Sequence, residues 1–249
     1  MGAILGPVIG GLLGGLGLRV PFLVYAGMLL GAAGVVAVFI RGGAGAAETR
    51  PVTTPPMSVS EGLQDSAYRA ALASAFANGW ANFGVRNAIL PLFATAAVLD
   101  APWVAGTALA VFAAGNAAGL TLAGRGTDRH GRRPFVVAGL LVSGLATVVT
   151  GWATGLAALL VVSVVAGVGA GTLNPAQQAA VADVVGRERS GGPALAAYSM
   201  AQDAGAIAGP IVAGLLVEHG SYPLAFATTG AVTLAAALPW LLARETLTR

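Results

Sequence analysis

GRGTDRHGRRP, residues 124–134, gathers Arg125, Asp128, Arg129, Arg132 and Arg133 into one short run of a chain in which only 9% of residues are charged. With glycine at 124, 126 and 131 and proline at its end, such a cluster reads as a turn joining two less polar segments. Apolar runs at 102–123 and 134–152 flank it. Each is long enough to cross a hydrocarbon core of about 30 Å, which takes roughly 17–25 residues of helix.

Six more runs of that kind lie at 2–18, 20–40, 70–92, 156–181, 194–217 and 222–243. The 249 residues are 56% hydrophobic with a mean hydropathy of +0.80, far from a soluble domain, where roughly a quarter of residues are charged. An all-α integral membrane protein with about eight transmembrane helices is expected. The long connection at 41–69 carries Gly42, Gly43, Gly45, Pro51, Pro55 and Pro56 among Glu48, Glu61 and Asp65, and reads as a flexible linker between a 1–40 portion and a 70–249 portion.

Arginine placement orients the chain. With the first helix running outward, Arg41, Arg50, Arg69, Arg125, Arg129, Arg132, Arg133, Arg187, Arg189, Arg244 and Arg249 fall on the inner side and only Arg19 on the outer. That asymmetry puts both termini, the linker and the charged turn in the cytoplasm of a cell-membrane protein. A net charge of +3 scattered over membrane-flanking loops is no nucleic-acid footprint. Two distant histidines, no cysteine and no carboxylate cluster leave neither a metal site nor a catalytic triad, and no cofactor is expected. The glycines at 167–171 lack the spacing of a dinucleotide loop.

An internal repeat adds organisation. GAILGPVIGGLL at 2–13 and GAIAGPIVAGLL at 205–216 share a Gly-Pro pattern at an offset of 203, aligning Gly2, Gly6 and Pro7 with Gly205, Gly209 and Pro210. A small-residue ladder for helix contact explains the glycines but not two prolines in register. The first copy opens a pair of helices, whereas the second is the fifth of six helices after the linker. A complete duplication therefore implies four helices ahead of Met1, and a chain truncated at its N-terminus.

Three motifs together resemble the major facilitator superfamily. Gly124-x-x-x-Asp128-Arg129-x-Gly131-Arg132-Arg133 is similar to the family's loop signature between the second and third helices of a half. Gly2-x-x-x-Gly6-Pro7-x-x-Gly10-Gly11 is similar to the fifth-helix signature of its antiporters, many of them drug exporters. Residues 167–191, with Gly167, Gly169, Gly171, Pro175, Asp183, Arg187 and Arg189, resemble its tenth helix and following loop. The resemblance covers helices five to twelve. It implies a helical bundle transporting small solutes by alternating access, with the bilayer, a small-molecule substrate and protons as partners. It also implies a cytoplasmic latch in which Asp128 and Arg129 make charged contacts, Gly124 and Gly131 free the turn, and Arg132 and Arg133 anchor at the headgroups. Asp203 is either a gate partner or a charge favoured by a helix dipole.

Polar residues inside the spans are the substrate candidates. Asn78, Asn82 and Arg86, spaced by four, share one helix face, and Arg86 is either a substrate contact or an arginine snorkelling outward. Asn116, beside Gly115 and Gly119, reads first as helix contact and second as substrate contact. Asn174-Pro175 reads as a kink. Gln177 and Gln178 either bind substrate or are solvated, and His130 and His219 sit in solvated loops. Proton-coupled efflux is the leading expectation. An uptake symporter of the same superfamily, or a fragment that inserts without transporting, are the alternatives.

Overall fold

The computed structural model describes residues 19–40, 55–186 and 189–247, with the side chains of Arg125 and Asp128 outside that description. The first Gly-Pro copy, Gly2, Gly6, Pro7, Gly10 and Gly11, also lies outside the described residues. Every described element is helical. Helix α1, Val20–Ile40, is exposed from Phe22 to Ala37 and adds nothing to the core. A short α2, Val59–Gly62, leads to a long rod. The rod comprises α3, Ser66–Asn78, a π-helical turn, Gly79–Val85, α4, Arg86–Phe93, and a second π-helical turn, Ala94–Val98. Then follow α5, Pro102–His130, α6, Arg133–Thr150, α7, Leu156–Val185, α8, Gly192–His219, α9, Tyr222–Ala235, and α10, Ala237–Leu242.

Local chemistry sets these boundaries. Asp65 caps α3 by accepting from the Ala67 N–H at 2.8 Å, and a proline stands in the first turn of α5, α6, α8 and α9, where its missing N–H costs nothing. Among the described residues five helical segments are long and apolar enough to span a membrane: Trp103–Gly124, Arg133–Thr150, Leu156–Val185, Gly192–His219 and Tyr222–Leu242. The rod, broken by its π-helical turns, packs against α8 without being among these five.

Glycine makes the helix seams. Lipid chains are as apolar as leucine, so membrane helices gain by close backbone approach where side chains are small. A methyl group on Gly115 or Gly119 of α5 would run into the carbonyls of Val164 or Val168, and one on Gly167 or Gly171 of α7 into those of Phe112 or Asn116. On α6, Gly139 meets the Gly169 carbonyl of α7, at 2.7 Å from an added Cβ.

Two apolar cores result. Towards one end Tyr68, Leu140, Leu173, Val181, Tyr198 and Trp240 pack together; towards the other, Val85, Leu90, Phe93, Val104, Leu159 and Phe226. Between them lies a layer containing Asn78, Asn82, Arg86, Ser143, Thr147, Ser163 and Thr229. The motif-bearing turn differs from expectation. Helix α5 runs through Gly124 and Asp128 to His130, and within this motif Gly131 takes a positive φ, +99°, that favours glycine. Gly124 is thus a helical residue, not a turn residue, because Gly131 and Arg132 alone reverse the chain. His130 and His219 end their helices rather than sitting in loops, each with Nδ1 near the carbonyl four residues back, at 3.3 and 3.1 Å. Helix α7 continues through Asn174 and Pro175. Within the stretch read as linker, the described residues 55–69 are held in place, with Met57 buried and Glu61 and Asp65 in ion pairs.

Candidate functional site

The middle layer is joined by a chain of side-chain bonds crossing three helical elements. Asn78, 1% exposed, donates from Nδ2 to Asn174 Oδ1 of α7 at 2.9 Å. Asn82 donates to Asn78 Oδ1 at 2.8 Å, and Arg86 Nε reaches Asn82 Oδ1 at 3.4 Å. Arg86 Nη2 lies 3.5 Å from Thr147 Oγ1 of α6, whose hydroxyl donates to the Ser143 carbonyl at 2.8 Å. The guanidinium carbon sits 4.0 Å from the centre of the Phe112 ring of α5, a cation–π stack. Arg86 is 4% exposed, so its charge does not reach the bundle surface. No carboxylate lies within 4.0 Å of it among the described residues.

Beside this chain the rod departs from α-helical winding. The π-helical turn Gly79–Val85 contains Asn82 and ends one residue before Arg86. Helix α8 lies directly on it. A methyl on Gly79 would overlap the Gln202 carbonyl, and one on Gly205 the Phe76 carbonyl. One on Gly84 would stand 2.7 Å from Pro210 Cδ, and one on Gly209 2.7 Å from the Trp80 carbonyl oxygen. The second copy of the Gly-Pro motif is therefore a backbone-on-backbone seat for the π-helical turn. Single-turn π segments gather at functional sites, because the extra residue frees local backbone groups and can shift along the helix. Trp80, in the same turn, donates from Nε1 to Thr229 Oγ1 at 3.3 Å.

A second polar cluster closes the end of the bundle that carries the charged turn. The Glu245 carboxylate caps α6, accepting from the Arg132 and Arg133 N–H groups at 2.8 and 3.2 Å, and from those of Thr246 and Leu247 at 3.0 and 3.2 Å. Arg132 Nε bonds Asp183 Oδ2 of α7 at 3.2 Å, which also accepts from the Thr246 hydroxyl at 3.2 Å. Arg133 donates to the Leu241 carbonyl. Nearby, Arg189 grips both Glu61 oxygens, at 2.5 and 3.0 Å, and the Pro55 carbonyl at 3.2 Å. Arg244 pairs with Asp65.

These contacts set the carboxylate charges. The Arg189 hydrogen bonds hold Glu61 below the usual glutamate range. Burial alone would raise Asp65, but Arg244 and the Ala67 N–H outweigh it and hold the carboxyl low. Burial likewise works against Glu245, and its four backbone donors prevail.

Several candidate residues thus come together and others do not. Asn78, Asn82, Arg86 and Asn174 form one network. Asn116 touches the α7 glycines through its backbone and stands one turn from Phe112. Gln177, fully buried, donates to the Ala71 carbonyl at 3.1 Å and Ser74 Oγ at 2.8 Å, which places it in the apolar core near one end rather than in the middle layer or in solvent. Asp203 is exposed on α8, Arg129 is exposed at the end of α5, and the Asp128 side chain lies outside the description. Thr147, Phe112 and Glu245 carried no sequence signal of their own; only helix contacts select them. Asp183, read as a motif position, gains a concrete partner in Arg132.

A family model described as Major Facilitator Superfamily matches residues 71–249, most of the rod and everything after it. No curated protein matches the chain.

Proposed function

From the premise that this chain belongs to the Major Facilitator Superfamily, and so to a family of membrane transporters of small solutes, we propose that it works by alternating access as a proton-coupled exporter. Its substrate site is the middle layer around Asn78, Asn82, Arg86 and Asn174, with Asn116 at its edge. The observation that carries this is the seat of Gly205, Gly209 and Pro210 on the π-helical turn. Two helices meeting through glycine backbones can slide without unlocking side chains, and this slide would shift the turn that holds Asn82 and aims Arg86. Such a link joins helix movement to site geometry, which alternating access requires. The antiporter-like Gly-Pro pattern supports the export direction.

The test is a full-chain proteoliposome assay with a lumenal pH dye. A solute gradient is expected to drive protons the opposite way. Movement in the same direction would make the protein a symporter, and solute flux with no proton movement would remove the coupling altogether.

The clustered end of the bundle is assigned to the cytoplasm, and there the charged segment at 124–133, helical to His130 and turning at Gly131 and Arg132, acts as a latch through Asp128 and Arg129; Asp203, exposed on α8, is assigned as a gate residue towards a partner other than this segment. Support comes from Arg129, Arg132, Arg133, Arg189 and Arg244 all meeting at that end, whereas the opposite turns at 99–101, 151–155 and 220–221 hold no arginine. Single cysteines at the exposed positions 55 and 130 of this cysteine-free chain are expected to react only with reagents that enter the cell. One at 221 is expected to react from outside. Labelling of position 130 by an impermeant reagent would reverse the orientation.

A further inference from the structure

We propose that Arg86, Ser143 and Ser163 form an anion site at the centre of the bundle, and that the transported solute presents a carboxylate to it. The proposal rests on the transporter reading and names the substrate class of that site.

The first ground is unbalanced charge. A guanidinium has five N–H donors and stays ionised, yet Arg86 has only two long contacts, to the neutral oxygens of Asn82 and Thr147 at 3.4 and 3.5 Å, and one aromatic face. An ionised group held between two apolar cores, at 4% exposure, is costly without a counter-charge. The described protein supplies none.

The second ground is a pair of hydroxyls. Ser143 Oγ and Ser163 Oγ are buried with no hydrogen-bond partner. Ser143 lies one turn from Thr147 on the same face of α6. Ser163 shares a stripe of α7 with Gly167, which meets Phe112, and Asn174, which bonds Asn78. The antiparallel register of α6 and α7, with Gly139 and Ser143 both against Gly169, brings the turn holding Ser163 opposite Thr147. Two buried hydroxyls without partners thus stand in the same layer as one underused guanidinium.

An anion that only accepts hydrogen bonds completes that set, and on a transported organic solute we take it to be a carboxylate. A carboxylate is acceptor-only; its two oxygens suit the guanidinium fork and take short charge-assisted bonds from hydroxyls. A cationic solute would meet repulsion at Arg86, and a neutral amide would leave the charge uncancelled. Leu90, Phe93, Leu159 and Phe226 on one side of the layer suit a carboxylate on an apolar body. The Phe112 ring holds the guanidinium plane in place for it.

The test uses the purified full chain in detergent at neutral pH, in a dilute Tris buffer adjusted with methanesulfonic acid and free of chloride, sulfate and carboxylates. Thermal unfolding is followed while sodium benzoate, benzamide, chloride or nitrate is titrated. Benzoate is expected to raise the midpoint saturably and benzamide not at all, and Arg86→Gln is expected to abolish the response. Ser163→Ala keeps the test decisive if Arg86→Gln fails to fold. It should raise the benzoate-free midpoint, by deleting an unpaired buried hydroxyl, while weakening benzoate about fivefold. No saturable benzoate effect, or a full one in Arg86→Gln or Ser163→Ala, would overturn the site. Saturation by chloride or nitrate but not benzoate would mean a free inorganic ion occupies it and would overturn the carboxylate assignment. In the proteoliposome assay, proton-coupled flux of neutral or cationic solutes beside a silent benzoate titration sinks this inference alone; absence of all solute flux sinks the transporter reading instead.

Discussion

Gly171→Val is expected to leave almost no folded protein after detergent extraction, whereas Gly124→Ala, in the loop signature itself, is expected to fold at least as well as the natural chain. A Cβ at Gly171 would overlap the Asn116 carbonyl oxygen and stand 2.8 Å from both the Asn116 carbonyl carbon and the Leu120 nitrogen. All of these are backbone atoms of α5, so no side chain can rotate away. The two helices would have to part, and Gly115, Gly119 and Gly167 would lose contact along the same seam. Overpacking costs about 1–3 kcal/mol where side chains can yield, and more where they cannot. Against a total stability of about 5–15 kcal/mol, loss of this seam is disabling. Gly124 has nothing within 4 Å of an added Cβ and lies inside α5. Alanine there should stabilise the helix by about 0.5–1 kcal/mol. Size-exclusion profiles and thermal midpoints decide both, and a well-folded Gly171→Val would disprove backbone contact at the seam.

Glu245→Gln is expected to lower stability at neutral pH by about 1–2 kcal/mol and to flatten its dependence on acid. The carboxylate accepts four backbone N–H bonds using both oxygens. Glutamine keeps one acceptor and turns an NH2 towards donors that need an oxygen. Because the folded carboxyl titrates below its ordinary value, the unfolded chain binds the proton first as pH falls. Its stabilisation is therefore complete above the usual glutamate range and drains away as pH drops through the lower, folded value. Asp65 and Glu61, shifted the same way, contribute in the same direction and leave a residual slope in the variant. Midpoints measured from neutral pH down to about pH 3 test this. An unchanged slope in Glu245→Gln would show that its cap carries no linkage.

Much of the design was legible in residue order because a membrane imposes one rule repeatedly: backbone groups in lipid must bond within their own helix, so long apolar runs are helices. That rule placed the spans at 134–152, 156–181, 194–217 and 222–243 within a few residues of the helices observed, whereas those at 70–92 and 102–123 stop six or seven residues short of the observed ends at Val98 and His130. It also made Arg86 stand out, and the spacing of Asn78, Asn82 and Arg86 put them on one face. Charged ends were harder. Gly124 to Asp128 read as a turn because charge and glycine resemble loop chemistry, yet nothing in those residues forbids helix, and a helix emerging from the membrane keeps its winding.

By itself, then, residue order determined the all-helical membrane class, the sequence of helices, the charge asymmetry between their ends and the family resemblance, since each depends on composition and spacing along one chain. Tertiary structure alone decided what the polar residues meet. That Asn78 bonds Asn174, that Arg86 rests on Phe112 beside Thr147, and that Glu245 caps a helix beginning at Arg133 all join residues distant along the chain. The second Gly-Pro motif likewise acquired a role only from the π-helical turn beneath it. The physical reason is that a glycine or a buried charge states a need for close approach or for a partner, and only the helix that arrives opposite meets it.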